Sequence, residues 1–259
     1  MLTLAILNYN GNDTLAESID SVLRQTRKPD RFVVIDNSST DGSRQIAVDK
    51  GIEVKDADNK FKFITGLNSA IATNVSLLFF MQNDVILDDT CLESMMKNKP
   101  EKGPFILQPV IYDTKGNIDN SGMDYKWPGY GERRKKKWWD ENAKYEKCGL
   151  VTTICFLTDN NWMEYDQRFA PAYYEDLDFY LKGIFEHYLI PSASCVHKGN
   201  HTFSQTYKKK EISEICRRNR KKLIRKYYKG FDRWLRLAVT SVADIVKKTI
   251  DIIGPRWIP

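Results

Sequence analysis

The chain has 259 residues, 42% hydrophobic and 29% charged, with a formal net charge of +6, a length that suits one α/β domain carrying a C-terminal extension. Its five cysteines (Cys91, Cys148, Cys155, Cys195 and Cys216) form no C-x-x-C pair and are odd in number, which argues against a zinc site and for a reduced, cytoplasmic setting. No apolar run approaches the roughly 20 residues that a bilayer crossing takes, and Met1 leads directly into a strand-like segment, so neither a membrane span nor a signal peptide is expected.

Residues 2–7 are an apolar run that ends in Asn8-Tyr9-Asn10. Leu15, Ile19, Val22 and Leu23 then recur at helical spacing, and Thr14 with Glu17 has the form of a capping box. A second run, residues 31–35, ends in Asp36-Asn37; Asp41-Gly42-Ser43 offers N-caps for a short helix that closes near Gly51, and residues 52–54 read as another strand. A helical stretch over residues 64–72 leads to a third run, residues 76–81, which ends in Gln82-Asn83-Asp84. Asp88 or Asp89 caps one more helix, to about Met96.

The first hundred residues thus read as repeated β-α units with right-handed crossovers. Ligands of such sheets lie in the crevice outside the carboxyl ends of the strands, so three polar strand ends outline one site. They point to an enzyme that uses a nucleotide.

The middle of the chain, residues 116–147, is less legible. It holds Trp127-Pro-Gly-Tyr-Gly131 and the cluster Arg133 to Trp139, which suits sugar stacking, a nucleic-acid backbone, or an ordinary solvated loop. Aromatic residues 169–174 then precede Glu175-Asp176-x-Asp178, carboxylates that would also stand at a helix start for plain electrostatic reasons. A short strand, residues 194–196, runs into His197; His187 has a surface-like setting, and His201 lies close enough to be confused with His197.

From Gln205 onward there are 16 Lys or Arg against 5 Asp or Glu, a balance of +11, while the rest, 24 against 29, carries −5. Phe231, Trp234, Leu235, Ala238, Val242, Ile245, Val246 and Ile253 follow the basic stretch at helical spacing. A basic, Trp-bearing amphipathic helix suits an anionic membrane surface, here the inner face; the ordinary alternative is a helix docked on its own domain.

Asn8-Tyr9-Asn10-Gly11, the string from Asp36 to Ser43, Gly66-x-Asn68, Gln82-Asn83-Asp84-Val85 and Tyr174-Glu175-Asp176-Leu177-Asp178 together resemble the ordered motifs of family-2 glycosyltransferases, especially the rhamnosyltransferase-like branch. The resemblance covers roughly residues 1–228. It implies an α/β GT-A fold, a UDP-, dTDP- or GDP-linked sugar donor, a divalent cation (Mn2+ or Mg2+) and inversion at the anomeric carbon. It divides the chain into a catalytic unit, 1–204, with a donor half (1–100) and an acceptor half (101–204), and an extension, 205–259.

Charge collects on the departing diphosphate as the sugar bond breaks, so a cation held by a strand-end carboxylate lowers the barrier. Asp84 is the natural holder, and the resemblance adds His197 as a second ligand. Gln82 stands where the family often has Asp or Asn, which makes it a ribose or amide contact. Asn8, Tyr9, Asn10, Asp36, Asn37 and Asn83 would meet base or ribose, with Asp36 ranked above Asn37; Gly66 and Asn68 would approach the nucleotide or its phosphates. By resemblance Asp176 is the base for the acceptor hydroxyl, Glu175 orients the acceptor or supports the loop, and Asp178 is structural. A glycan or glycolipid is the expected acceptor. Sugar transfer to modified bases of viral DNA, and nucleotide-sugar binding without catalysis, are the alternatives.

Overall fold

The computed structural model describes residues 1–57, 63–72, 76–159, 164–199 and 207–253, with the backbone alone for 245–253. His201 and Gln205 lie outside the described residues. Four parallel strands carry the first half: β1 (Leu2–Asn8), β2 (Arg31–Asp36), β3 (Glu53–Asp56) and β4 (Leu77–Gln82), linked by α1 (Leu15–Arg24), α2 (Ser43–Asp49) and α3 (Phe63–Ile71). β1 is buried along its whole length because both faces are covered, which is why it reads as a continuous apolar run and not as an alternating one. Its Leu4 and Ile6 enter one core with Phe79 and Met81, while Ala5 and Leu7 enter the other with Phe80 and Phe156.

The second half adds β5 (Val85–Leu87), α4 (Cys91–Asn98), β6 (Phe105–Tyr112), β7 (Ile118–Asn120), β8 (Met123–Lys126), β9 (Tyr130–Arg133), β10 (Glu146–Lys147), β11 (Cys155–Thr158), α5 (Glu175–Leu181) and β12 (Glu186–His197). The main sheet runs β10-β12-β6-β11-β4-β1-β2-β3, with β11 wedged antiparallel between β4 and β6, and β12 parallel to β6. β8 and β9 form a separate hairpin. Two helices close the chain, α6 (Lys209–Tyr227) and α7 (Gly230–Ile253), and no described helix is long and apolar enough to cross a membrane.

Three expectations change. Thr14 makes no side-chain cap; its hydroxyl faces the Gly11 carbonyl and Glu17 pairs with Lys198, so the capping box does not form. His187 is buried, not superficial, because the short strand expected at 194–196 is the end of a twelve-residue strand that begins at Glu186. Pro191 hid that strand: it sits where the pairing with β6 shifts register between Ile190 and Ser194, the place in a ladder where a missing N–H is tolerated. None of the five cysteines is joined in a disulfide.

Candidate active site

Strand register brings the three polar ends level. Asn8 pairs with Asp36 across β1 and β2, and Leu7 pairs with Gln82 across β1 and β4. Asn8 itself is fully buried: its amide nitrogen lies 2.9 Å from Asp36 Oδ1, 2.9 Å from Ser43 Oγ and 3.1 Å from Ser39 Oγ, while its oxygen accepts from Asn83 Nδ2 at 2.8 Å. Asp36 takes further bonds from the Ser39 backbone N–H (3.0 Å) and hydroxyl (2.6 Å). Asn10, at φ 48°, accepts from the Thr40 N–H. These bonds knit the strand ends together, and Asn8, Asn10 and Asp36 are not among the residues that line the cavity described below. Asn37 is the group left over: its buried Oδ1 has no hydrogen-bond partner among the described residues, and the side chain lines the cavity.

Gly66 and Asn68 are also scaffold. A Cβ on Gly66 would stand 2.5 Å from Leu7 Cδ1, so this glycine lets α3 pack on β1. Asn68 grips the Tyr165 backbone from both sides, donating to its carbonyl and accepting from its N–H at 2.9 Å each.

A cavity of about 350 Å³ lies over the strand ends. Tyr9, Asn37, Gln82, Asn83, Asp84 and His197 line it from the strand ends, and Met123, Tyr130, Arg133, Tyr173, Glu175 and Asp176 from the β8–β9 hairpin and the start of α5; the two groups meet where Arg133 and His197 share Asp119. Asp84 Oδ2 is 3.4 Å from His197 Nε2, and His197 Nδ1 is 3.3 Å from Asp119 Oδ2. Burial works against a charged His197, but the hydrogen bonds and charges of Asp119 and Asp84 outweigh it and raise its pKa to about 9. Asp119 is held at about 2, first by its hydrogen bond to His197, then, against the cost of burial, by Arg133, 3.0 Å away, and by Lys135.

Asp84 Oδ1 is buried and has no partner among the described residues. An orphaned carboxylate oxygen beside an imidazole is a donor set that fits a hard divalent cation, which commonly keeps waters or substrate oxygens on its remaining positions. No group of three or more His, Cys, Asp or Glu side chains able to hold a metal occurs among the described residues. Asp84 and His197 are the residues that could serve.

Across the cavity, Tyr173 (φ 70°) and Tyr174 (φ 74°) adopt left-handed backbone immediately before α5, a conformation that costs non-glycine residues energy and that clusters at functional loops. The loop is held from outside. Asn219 of α6 is buried and directs its amide nitrogen at the carbonyls of Phe169, Ala172 and Tyr173, while Lys226 pairs with Asp178 at 2.6 Å and Tyr227 donates to the same carboxylate. Asp178 is thus an anchor for α6.

Glu175 is buried. One oxygen accepts from Thr153 Oγ1 at 3.1 Å, the other has no partner among the described residues, and burial together with the charge of Asp176 pushes its pKa up to about 8. Asp176 is raised too, by burial, against the Leu177 N–H bond and the charge of Arg133, but it keeps partial access to the cavity.

Sequence reasoning missed Asp119, Thr153 and Asn219, none of which carries a motif, and saw Arg133 only as one charge in a basic run. Only part of that run turns inward; Arg133, Lys135, Lys136 and Lys137 are exposed. Arg134 binds Asp124 and covers the Trp138 ring at 4.2 Å, Trp138 Nε1 donates to Ser121, and Trp139 is buried. The cluster offers no row of exposed rings for stacked bases.

A family model described as "Glycosyl transferase family 2" matches residues 3–158. The chain belongs to glycosyltransferase family 2. It is 32% identical over 93 residues to the O-antigen chain rhamnosyltransferase RfbN of Salmonella typhimurium, a stretch that covers 34% of this chain and 30% of that protein. Among solved structures it is similar to GalNAc-T7 crystallised with UDP, GalNAc and Mn2+ (TM-score 0.63, 14% identity, 76% of this chain and 43% of that one). It is also similar to S. aureus TarS 1-349 in complex with UDP (TM-score 0.56, 14% identity, 92% of this chain and 70% of that one). The fold of this family-2 glycosyltransferase is therefore the expected GT-A arrangement, with a mostly parallel central sheet, flanking helices and C-terminal helices.

Proposed function

We propose that this glycosyltransferase moves a sugar from a nucleoside-diphosphate donor to a hydroxyl of a glycan or glycolipid, with inversion. The observation that carries the reading is one cavity lined by two chemically distinct groups: Asp84, with its unpartnered oxygen, and His197 at the strand ends, and Asp176 at the start of α5. A division into a donor half, 1–100, and an acceptor half, 101–204, is consistent with these groups, because Tyr9 to Asp84 supply all of the first but His197 and Met123 to Asp176 supply the second.

Tyr9 can pack against the base, and Asn37 and Gln82 can bond base or ribose edges; the complexes of TarS with UDP and with UDP-GlcNAc make a uridine donor the first to try. A divalent cation at Asp84 and His197 would neutralise charge on the departing diphosphate, and the Mn2+ in the GalNAc-T7 structure makes Mn2+ the first ion to supply. Asp176, partly open to the cavity, would take the proton from the acceptor hydroxyl as that oxygen attacks the anomeric carbon from the face opposite the leaving group. Glu175, with its pKa pushed up to about 8, would stay protonated near neutrality and hold the acceptor or the loop by donating a hydrogen bond. RfbN, named for O-antigen chains, supports a surface glycan or its lipid-carried precursor as acceptor. The test is a panel of UDP-, dTDP- and GDP-sugars with Mn2+ or Mg2+, read as nucleotide release. Metal-dependent release from one donor class is expected; a chain that neither binds nor turns over any of them would overturn the reading.

A further inference from the structure

The last helix presents its polar side inward and its apolar side outward. Toward the domain, Arg236 donates to the Pro128 carbonyl at 3.2 Å and lies over the Tyr228 ring at 3.9 Å, Asp244 takes Arg220 at 3.0 Å, and Thr240 is buried. Away from it, Phe231 is 73% exposed, Trp234 62% and Val242 59%, with the first two rings stacked 5.7 Å apart. Phe231, Trp234, Ala238 and Val242 follow one another by three or four residues, a continuous stripe on one helix face. An exposed apolar stripe of this kind marks a surface that something covers.

Charge says what covers it. Arg225, Lys229 and Arg233 are exposed around the α6–α7 junction and form no ion pair among the described residues, and the chain from Gln205 onward carries 16 basic against 5 acidic residues. A second copy of the chain would bring two such segments together and repel. A duplex would gain phosphate contacts from the cations but nothing from Phe231, Trp234 and Val242. A bilayer with anionic headgroups satisfies both, since aromatic side chains settle at the headgroup level while neighbouring Lys and Arg meet the lipid charge.

We propose that the outward face of α7 docks on an anionic lipid bilayer, with Phe231 and Trp234 entering the headgroup layer and Arg225, Lys229 and Arg233 against its charge. The inward side of the same helix is tied to the reaction cavity. Tyr228 bonds the Tyr125 hydroxyl of the β8–β9 hairpin at 2.5 Å, Arg236 holds Pro128 between its strands, and Tyr130 and Arg133 of that hairpin line the cavity. Trp127 in the same hairpin is 49% exposed. Docking therefore puts on the bilayer the helix that braces this hairpin, which fits an acceptor carried on a lipid; that second step rests on the glycosyltransferase reading above, whereas docking does not.

The experiment is flotation of the full chain with phosphatidylcholine–phosphatidylglycerol vesicles, with pure phosphatidylcholine vesicles as comparison, alongside light scattering without lipid and duplex DNA binding. UDP binding is measured on every preparation. The parent should float with the anionic vesicles, less so as salt rises, and hardly at all with neutral ones. Phe231→Ser with Trp234→Ser should weaken partitioning by roughly tenfold or more. Arg225→Gln, Lys229→Gln and Arg233→Gln together should weaken it by about fivefold per charge, selectively on anionic vesicles. All variants should keep UDP binding and circular dichroism, since none of these side chains lines the cavity. Parent protein that stays at the bottom with both vesicle types overturns docking, as does an unchanged Phe231→Ser/Trp234→Ser variant. A parent dimer that this variant converts to monomer, or duplex binding without flotation, assigns the face to another partner and also overturns it. Flotation as expected without UDP binding would leave docking intact and remove the uridine donor instead.

Discussion

His197 faces Asp84 because β12 runs antiparallel to β5 with His197 opposite Val85, which sets Nε2 3.4 Å from Asp84 Oδ2. The other ring nitrogen meets Asp119, so a carboxylate fixes the imidazole from behind.

If Asp84 and His197 hold the cation, Asp84→Ala should abolish transfer and remove Mn2+ binding measured by calorimetry in the presence of nucleotide. Excess chelator should silence the parent in the same way. Asp119→Asn, which leaves both ligands in place but loosens the ring, should weaken Mn2+ by about 10–100-fold. Full transfer in excess chelator would exclude the metal role.

Asp176 and Glu175 are adjacent but differ in access, and their roles should separate in kinetics. Asp176→Asn should lower kcat by several orders of magnitude with little change in donor affinity, because the lost group acts on the acceptor. Glu175→Gln copies the protonated form that burial favours, and it should retain most of the transfer near neutral pH. The reverse pattern, a nearly normal Asp176→Asn and a dead Glu175→Gln, would make Glu175 the base.

Glu175 also makes stability depend on pH. Its carboxyl goes from an ordinary 4.5 to about 8 on folding, so the folded chain binds the proton more tightly than the unfolded one. Its contribution is fully present below the lower value and is lost as pH rises toward the upper one, at up to about 1.4 kcal/mol per pH unit. Melting temperature should fall across that window in the parent, and the fall should be shallower in Glu175→Gln. Equal slopes in the two proteins would place the titration elsewhere.

The first hundred residues were legible because parallel strands buried on both faces must be apolar throughout, and their polar ends must then mark the crevice. Residue roles were less legible. Asn8 and Asp36 sit where a ligand contact belongs, yet they also bond each other and Ser39, Ser43 and Asn83, a network only strand register reveals. Asp119 lies on a three-residue strand, β7, in a segment without periodicity, and nothing in its neighbours announces a histidine far along the chain. The basic run of α6 disguised a buried asparagine between charges: Asn219 stands in Arg-Arg-Asn-Arg-Lys-Lys, a string that reads as wholly solvated.

That asparagine gives the last prediction. Asn219 Nδ2 points at the carbonyls of Phe169, Ala172 and Tyr173, so Asn219→Ala leaves buried acceptors unpaired, at a cost of about 1–3 kcal/mol in stability. The loop it releases is the one that carries Tyr173 and Tyr174 in left-handed backbone and sets Glu175 and Asp176 into the cavity. Relaxation there should displace Asp176 while leaving Tyr9, Asn37 and Asp84, which stand at the strand ends, in place. Assayed well below its melting temperature, Asn219→Ala should therefore lose kcat by about tenfold or more while its affinity for the donor stays near that of the parent. A variant that melts earlier but transfers at the parent rate would show that Asn219 supports the fold and positions nothing.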